Sequence, residues 1–191
     1  MALAKRIGDV TTPLGEAQTF ETEPLGNATL PASDRKATLD FQRKVANLQR
    51  AVAGAAGALE EGLTRIELIQ KALLDTPAAD PKMLDESRTI ENRLRDLNEQ
   101  LTGDPVKGAR NEPTSPAIAD RVFQVVFGAW GSTSSPTQTH QNNYTQAAEA
   151  FAPLLADIRK ALGEDLVNLE NRLEAAGAPW TPSRIPTWQP E

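Results

Sequence analysis

Residues 33–74 read SDRKATLDFQRKVANLQRAVAGAAGALEEGLTRIELIQKALL, and this run decides the fold. Its apolar residues Phe41, Val45, Leu48, Val52, Ala55, Leu59, Leu63, Ile66, Ile69 and Leu73 recur at steps of three and four. A 3.6-residue period puts them on one face, so the pattern predicts an amphipathic helix of roughly eleven turns. Ser33 or Asp34 supplies a capping oxygen at its start, and Pro77 lies just past its end. Gly54, Gly57 and Gly62 each cost up to about 1 kcal/mol against alanine inside a helix. Their presence predicts close approach of a neighbouring backbone.

The same devices repeat further along the chain. Asp80-Pro81 opens a second helix with proline at the first helical position, and Leu84, Ile90, Leu94, Leu97 and Leu101 form its stripe. Gly103-Asp104-Pro105 stops it, and residues 104–114 read as a polar loop. Ser115-Pro116 starts a short third helix carrying Ile118, Val122, Val125 and Val126, which Gly128 and Gly131 end on either side of Trp130. Ser135-Pro136 starts a fourth, whose stripe runs Tyr144, Ala148, Phe151, Leu155, Ile158, Leu162, Leu166, Leu169, Leu173 and Ala176. Pro153 removes an intrahelical hydrogen bond and predicts a bend, Gly163 a second one, and Gly177 suits a left-handed terminus. The tail from Ala178 to Trp188 reads as extended and proline-rich, anchored to the bundle by Trp180 and Trp188. The expected fold is all-α: an up-down antiparallel helical bundle of about four helices, two of them long.

Residues 1–31 differ. Leu3, Lys5 and Ile7 alternate, Gly8-Asp9 and Pro13-Leu14-Gly15 signal turns, and a second alternation runs through Gln18, Phe20 and Thr22 to Pro24. This reads as a short β-hairpin followed by a linker over residues 24–32. A lone hairpin is marginal in water, so it should lean on the helices or be the last two strands of a larger sheet. The chain thus divides into a hairpin remnant with linker, 1–31, and a helical bundle with an extended Pro/Trp-rich tail, 32–191.

A net charge of −6 and a pI near 5.0 argue against a nucleic-acid footprint. No stretch has the roughly 20 apolar residues of a membrane span. The absence of cysteine excludes disulfides and thiolate metal sites. The start, Met1-Ala2-Leu3-Ala4-Lys5-Arg6, lacks the apolar run of a signal peptide. That predicts either a cytosolic protein or a piece of a longer exported one.

Each candidate site has a plainer structural reading. His140 is the single histidine, and no Glu-x-x-His occurs, so neither a zinc nor a di-iron site is expected. Ser132-Thr133-Ser134-Ser135 precedes His140 and invites a nucleophile-and-base reading, but no Gly-x-Ser-x-Gly elbow supports it, and the hydroxyls suit helix capping. Glu60-Glu61 and Glu164-Asp165 are adjacent pairs that diverge on a helix, and Glu170 and Glu174 offer nothing more specific. Gly128-Ala129-Trp130-Gly131-Ser132 lacks the lysine of a phosphate loop. Trp130, Trp180 and Trp188 suit core anchoring better than an aromatic platform for sugar or peptide. No catalytic, cofactor or metal residue is assigned.

Ile118-Ala119-Asp120-Arg121-Val122, Ser135-Pro136-Thr137-Gln138-Thr139-His140 and Phe151-Ala152-Pro153-Leu154-Leu155 occur in order. They are followed by Leu173-Glu174-Ala175-Ala176-Gly177-Ala178-Pro179-Trp180-Thr181-Pro182 and by Pro186-Thr187-Trp188. The series, over residues 116–188, resembles the C-terminal helical region of large bacterial exported β-propeller proteins labelled glycosyl hydrolases or sortilin-like proteins. The hairpin, with Gln18-Thr19-Phe20-Glu21, is similar to the final strands of the β-sandwich before that region. The resemblance implies a non-catalytic accessory or interaction domain of an exported (periplasmic or extracellular) parent, partnered by its own upstream sandwich or propeller or by self-association. The alternatives are a glycoside hydrolase fragment contributing to a carbohydrate site, and a cytosolic helical adaptor.

Overall fold

The long helix begins where a side chain caps it. In the computed structural model, which describes residues 2–23, 30–182 and 184–189, Asp34 Oδ1 accepts the Ala37 N–H at 2.9 Å. Helix α1 then runs unbroken from Arg35 to Leu74, about 60 Å at 1.5 Å per residue. Asp80 performs the same service for α2 (Lys82–Thr102), accepting the Lys82 N–H at 2.9 Å. The expected polar loop over 104–114 contains a one-turn helix, α3 (Pro105–Ala109). Asp104 nucleates it by accepting from Val106 and Lys107, and those two N–H groups hold its carboxyl below the usual range. Helix α4 is Ile118–Trp130, with the Ala117 N–H bonded to Asp120. Helix α5 (Gln138–Lys160), a π-helical turn (Ala161–Asp165) and α6 (Leu166–Ala175) form the last rod.

The cap of α5 is Thr137, whose Oγ1 accepts the His140 N–H at 3.2 Å, and not Ser135. Pro136 stands before that cap and not inside the first turn. The helix continues through Pro153, so the irregularity in this rod falls at the π turn around Gly163. The rod ends as expected: Gly177 has φ +80°, its N–H reaches Glu174 O, and the Ala178 N–H reaches Leu173 O. This is a Schellman motif.

Pairings across the rods give their directions. Phe41 meets Tyr144 edge-on at 5.7 Å, and Arg65 meets Glu170, so α1 and the α5–α6 rod run parallel. Gln70 bonds Glu91, Glu86 pairs with Arg172, and Arg93 pairs with Asp165, so α2 runs against both. Arg121 and Gln124 both bond Asn143, and Gly128 lies under His140, so α4 also runs against α5. A Cβ at Gly103 would meet Ala117, which places the end of α2 at the start of α4. The bundle is therefore three rods: α1, the α5–α6 rod, and a broken rod in which α2 and α4 stack end to end.

The core follows the stripes. Leu59, Ile66, Ile69, Leu94, Leu101, Val125, Leu166, Leu169 and Leu173 are fully enclosed, each contributing about 1.5–3 kcal/mol by leaving water. Of the three glycines of α1, Gly62 alone is closely packed, and against the side chains of Leu162 and Leu94, not a backbone. Gly54 and Gly57 face open space.

The chain divides into two units, 1–31 and 32–191. In the first, β1 (Ala4–Ile7) pairs antiparallel with β2 (Val10–Pro13), Ile7 opposite Val10. The second strand is thus Val10–Pro13, not the alternating run 18–22. Gly8, at φ +60°, permits a two-residue turn with Asp9, so the chain folds back eight residues earlier than the alternation suggested. Leu3, Ile7, Val10 and Leu14 share one face of the hairpin and are 61–69% exposed. Residues 24–29 of the expected linker lie outside the described residues.

Candidate interaction surface

Helix α4 is apolar on both sides. Ile118, Val122, Val125 and Val126 enter the core. Phe123, Phe127 and Trp130, at steps of four and three, share the opposite face and are 66%, 74% and 83% exposed. The two phenylalanine rings stack at 6.0 Å with 25° between their planes. Three such side chains present roughly 350–550 Å² of apolar surface, the scale at which a patch on a folded domain is often functional. A helix apolar all round is normally buried all round. Sequence reasoning missed this face because Phe123 and Phe127 were outside the stripe used to recognise the helix, and it placed Trp130 as an anchor. The outer spacing 123–127–130 carried the signal.

Beside this face an open groove of about 470 Å³ runs between α1 and α4. Ala46, Val126 and Ala129 line it, with Arg43, Gln49 and Trp130 among its other walls. The tail tryptophans are not anchors: Trp180 and Trp188 are 42% and 81% exposed. The tail is held instead by buried Ala178 and Thr181 and by Arg184. Arg184 donates to Glu174 at 2.5 and 2.7 Å and to Asn171 at 2.6 Å. This hydrogen bonding keeps the Glu174 carboxyl below its ordinary value and raises the guanidinium.

The structure does bring the serine run and His140 together. Thr38, Gln42, Ser132, Ser134, Ser135 and His140 help line a cavity of about 20 Å³, room for one water. Ser132 and Ser134 hydroxyls lie 2.6 Å apart, and Ser132 Oγ accepts the Ser134 N–H at 3.0 Å. These are turn-forming contacts. The His140 ring lies against Gly128, where a Cβ would overlap Nε2 and Cε1. Among the described residues no carboxylate lines the cavity to orient that imidazole as a base. Gly128 belongs to the final turns of α4, and Gly131 follows in a right-handed conformation, so the segment 128–132 forms no phosphate cradle.

The carboxylates separate by environment. Glu60, Glu61 and Glu164 are exposed, while Asp165 bonds Arg93 at 2.9 Å beside a cleft of about 240 Å³. Glu91 is held below its ordinary pKa by hydrogen bonds from Gln70 and then Arg95. Glu170, from which nothing specific is expected in the sequence, differs: its side chain is 0% exposed and takes a bidentate bond from Arg65, itself 17% exposed. Its position, four after Leu166 and three before Leu173, put it on the buried stripe. Among the described residues no three His, Asp or Glu side chains gather as a metal site, and no helix is long and apolar enough to cross a membrane. No protein-family model, curated protein or solved structure matches the chain.

Proposed function

We propose that this chain is a non-catalytic interaction domain, with the outer face of α4 as its contact surface. The observation that carries the reading is the exposed row Phe123, Phe127 and Trp130 on a helix whose other side is fully packed. Its continuity favours a polypeptide over a sugar, because only Trp130 of the three borders the polar residues of the groove. The resemblance of residues 116–188 to the C-terminal region of exported β-propeller proteins supports an accessory role beside such a module. The amphipathic hairpin supports it too: a pair of strands with an exposed apolar face, joined by no third strand among the described residues, is suited to extending a sheet.

Site-specific photo-crosslinking in the native cell tests this. A photoreactive phenylalanine at position 123, 127 or 130 should give one discrete polypeptide adduct, and the same group at Glu61 or Glu164 should not. Equal labelling at both sets of positions, or none at α4, would refute the assignment.

A further inference from the structure

Charge is segregated along the bundle. The chain as a whole carries −6, yet residues 35–50 hold Arg35, Lys36, Arg43, Lys44 and Arg50 against Asp40 alone. From Val122 to Ala148, covering most of α4 and the first half of α5, no Asp, Glu, Lys or Arg occurs. Lys36, Arg43 and Arg50 stand seven residues apart, which keeps them on one side of α1 with a drift of only about 20° per step. The side chains of Lys36 and Arg43 are 89% and 69% exposed, and they share one counter-ion, Asp40, at 3.7 Å each. Arg50 donates to the neutral Asn47 at 3.2 Å. Arg43 also lines the groove between α1 and α4, opposite Trp130.

We infer that this groove takes an acidic amphipathic helix from a partner polypeptide; the inference rests on reading α4 as an interaction surface. The cationic row from Lys36 to Arg50 extends about 21 Å, the length of a four-turn helix. Apolar residues at i, i+3, i+4 and i+7 of such a helix would fill the groove over Ala46, Val126 and Ala129 and abut Trp130. Its Asp or Glu flank would face Lys36, Arg43 and Arg50. A second copy of the chain fits less well, because the aromatic face falls short of the roughly 800 Å² per partner of a stable dimer. A bilayer also fits less well, because Gln42, Gln49, Ser132 and Thr133 divide the apolar lining of the groove and leave no continuous apolar face to insert.

The test is an NMR titration of the isotope-labelled full chain. The probe is an 18-residue helical Ala/Leu/Glu peptide with leucines on one face, beside its Lys-for-Glu twin and vesicles of mixed neutral and anionic phospholipid. The acidic peptide should shift the amides of residues 36–50 and 123–133. The variant K36E/R43E/R50E, altered only at exposed positions, should weaken it about tenfold or more while strengthening the Lys twin. Equal binding of both peptides at these amides would overturn the acidic partner and leave the α4 surface standing. Shifts from vesicles but from neither peptide would replace the helix by a membrane surface. No shift from any probe would count against both readings.

Discussion

Removing Arg65 should damage this protein more than removing Glu170, although they are two halves of one ion pair. The reason is the asymmetry of burial: the Glu170 side chain is 0% exposed and the Arg65 side chain 17%. Arg65→Ala strands a carboxylate in the core with its two 2.8 Å bonds gone, a defect of about 3–5 kcal/mol. For a domain of this size that corresponds to about 6–20 °C in Tm. Glu170→Gln keeps the shape and an acceptor, and the guanidinium can turn to water, so its cost is about 1–2 kcal/mol. Replacing both, Arg65→Met with Glu170→Leu, should bring stability back to within about 1 kcal/mol of the parent or above it. Urea unfolding followed by circular dichroism at neutral pH measures all three as midpoint shifts at constant slope. The reasoning fails if Glu170→Gln costs as much as Arg65→Ala, or if the double replacement is no better than Arg65→Ala.

Two further outcomes follow from the packing. Gly54→Ala and Gly57→Ala, which add a methyl into open space on a helix, should each stabilise by about 0.5–1 kcal/mol. Gly128→Ala, whose methyl would overlap the half-buried His140 ring and force it aside, should cost about 1 kcal/mol, read in the same unfolding experiment. The tail clamp should open in acid. The Glu174 carboxyl lies below its ordinary value of 4.5 when folded, so the clamp contributes fully above that pH and is lost as pH falls through the depressed value. Trp180 fluorescence, with Trp130 and Trp188 replaced by Phe, should show a transition below pH 4.5 that Glu174→Gln abolishes at every pH.

The helices were legible because their information is local. Ten apolar residues at steps of three and four in α1, Asp34 ahead of it and Gly177 behind α6 each act within a few residues of themselves. What was not legible depends on partners distant in sequence. Arg65 and Glu170 are 105 positions apart, and nothing near Glu170 says that a guanidinium waits for it. Stacking of α2 on α4 likewise rests on Gly103 meeting Ala117 across α3. The hairpin itself was legible, but its second strand was not: the alternation at 18–22 and the Gly8-Asp9 turn competed, and the tight turn won by closing the smaller loop. For the α4 surface, the residues were plain, but exposure is a property of the assembled bundle.

The broken rod gives the bundle two cross-sections on a shared pair of shafts. One contains α2, the second half of α1 and α6; the other contains α4, the first half of α1 and the first half of α5. No single element of the broken rod spans both, so the two sections share only α1 and the α5–α6 rod as continuous helices and otherwise meet at the Gly103–Ala117 joint. The section bearing the aromatic face should therefore open as its own cooperative unit. Its amides should exchange with solvent sooner than those around Leu94 and Leu169, while the joint at Gly103–Ala117 serves as the seam between them.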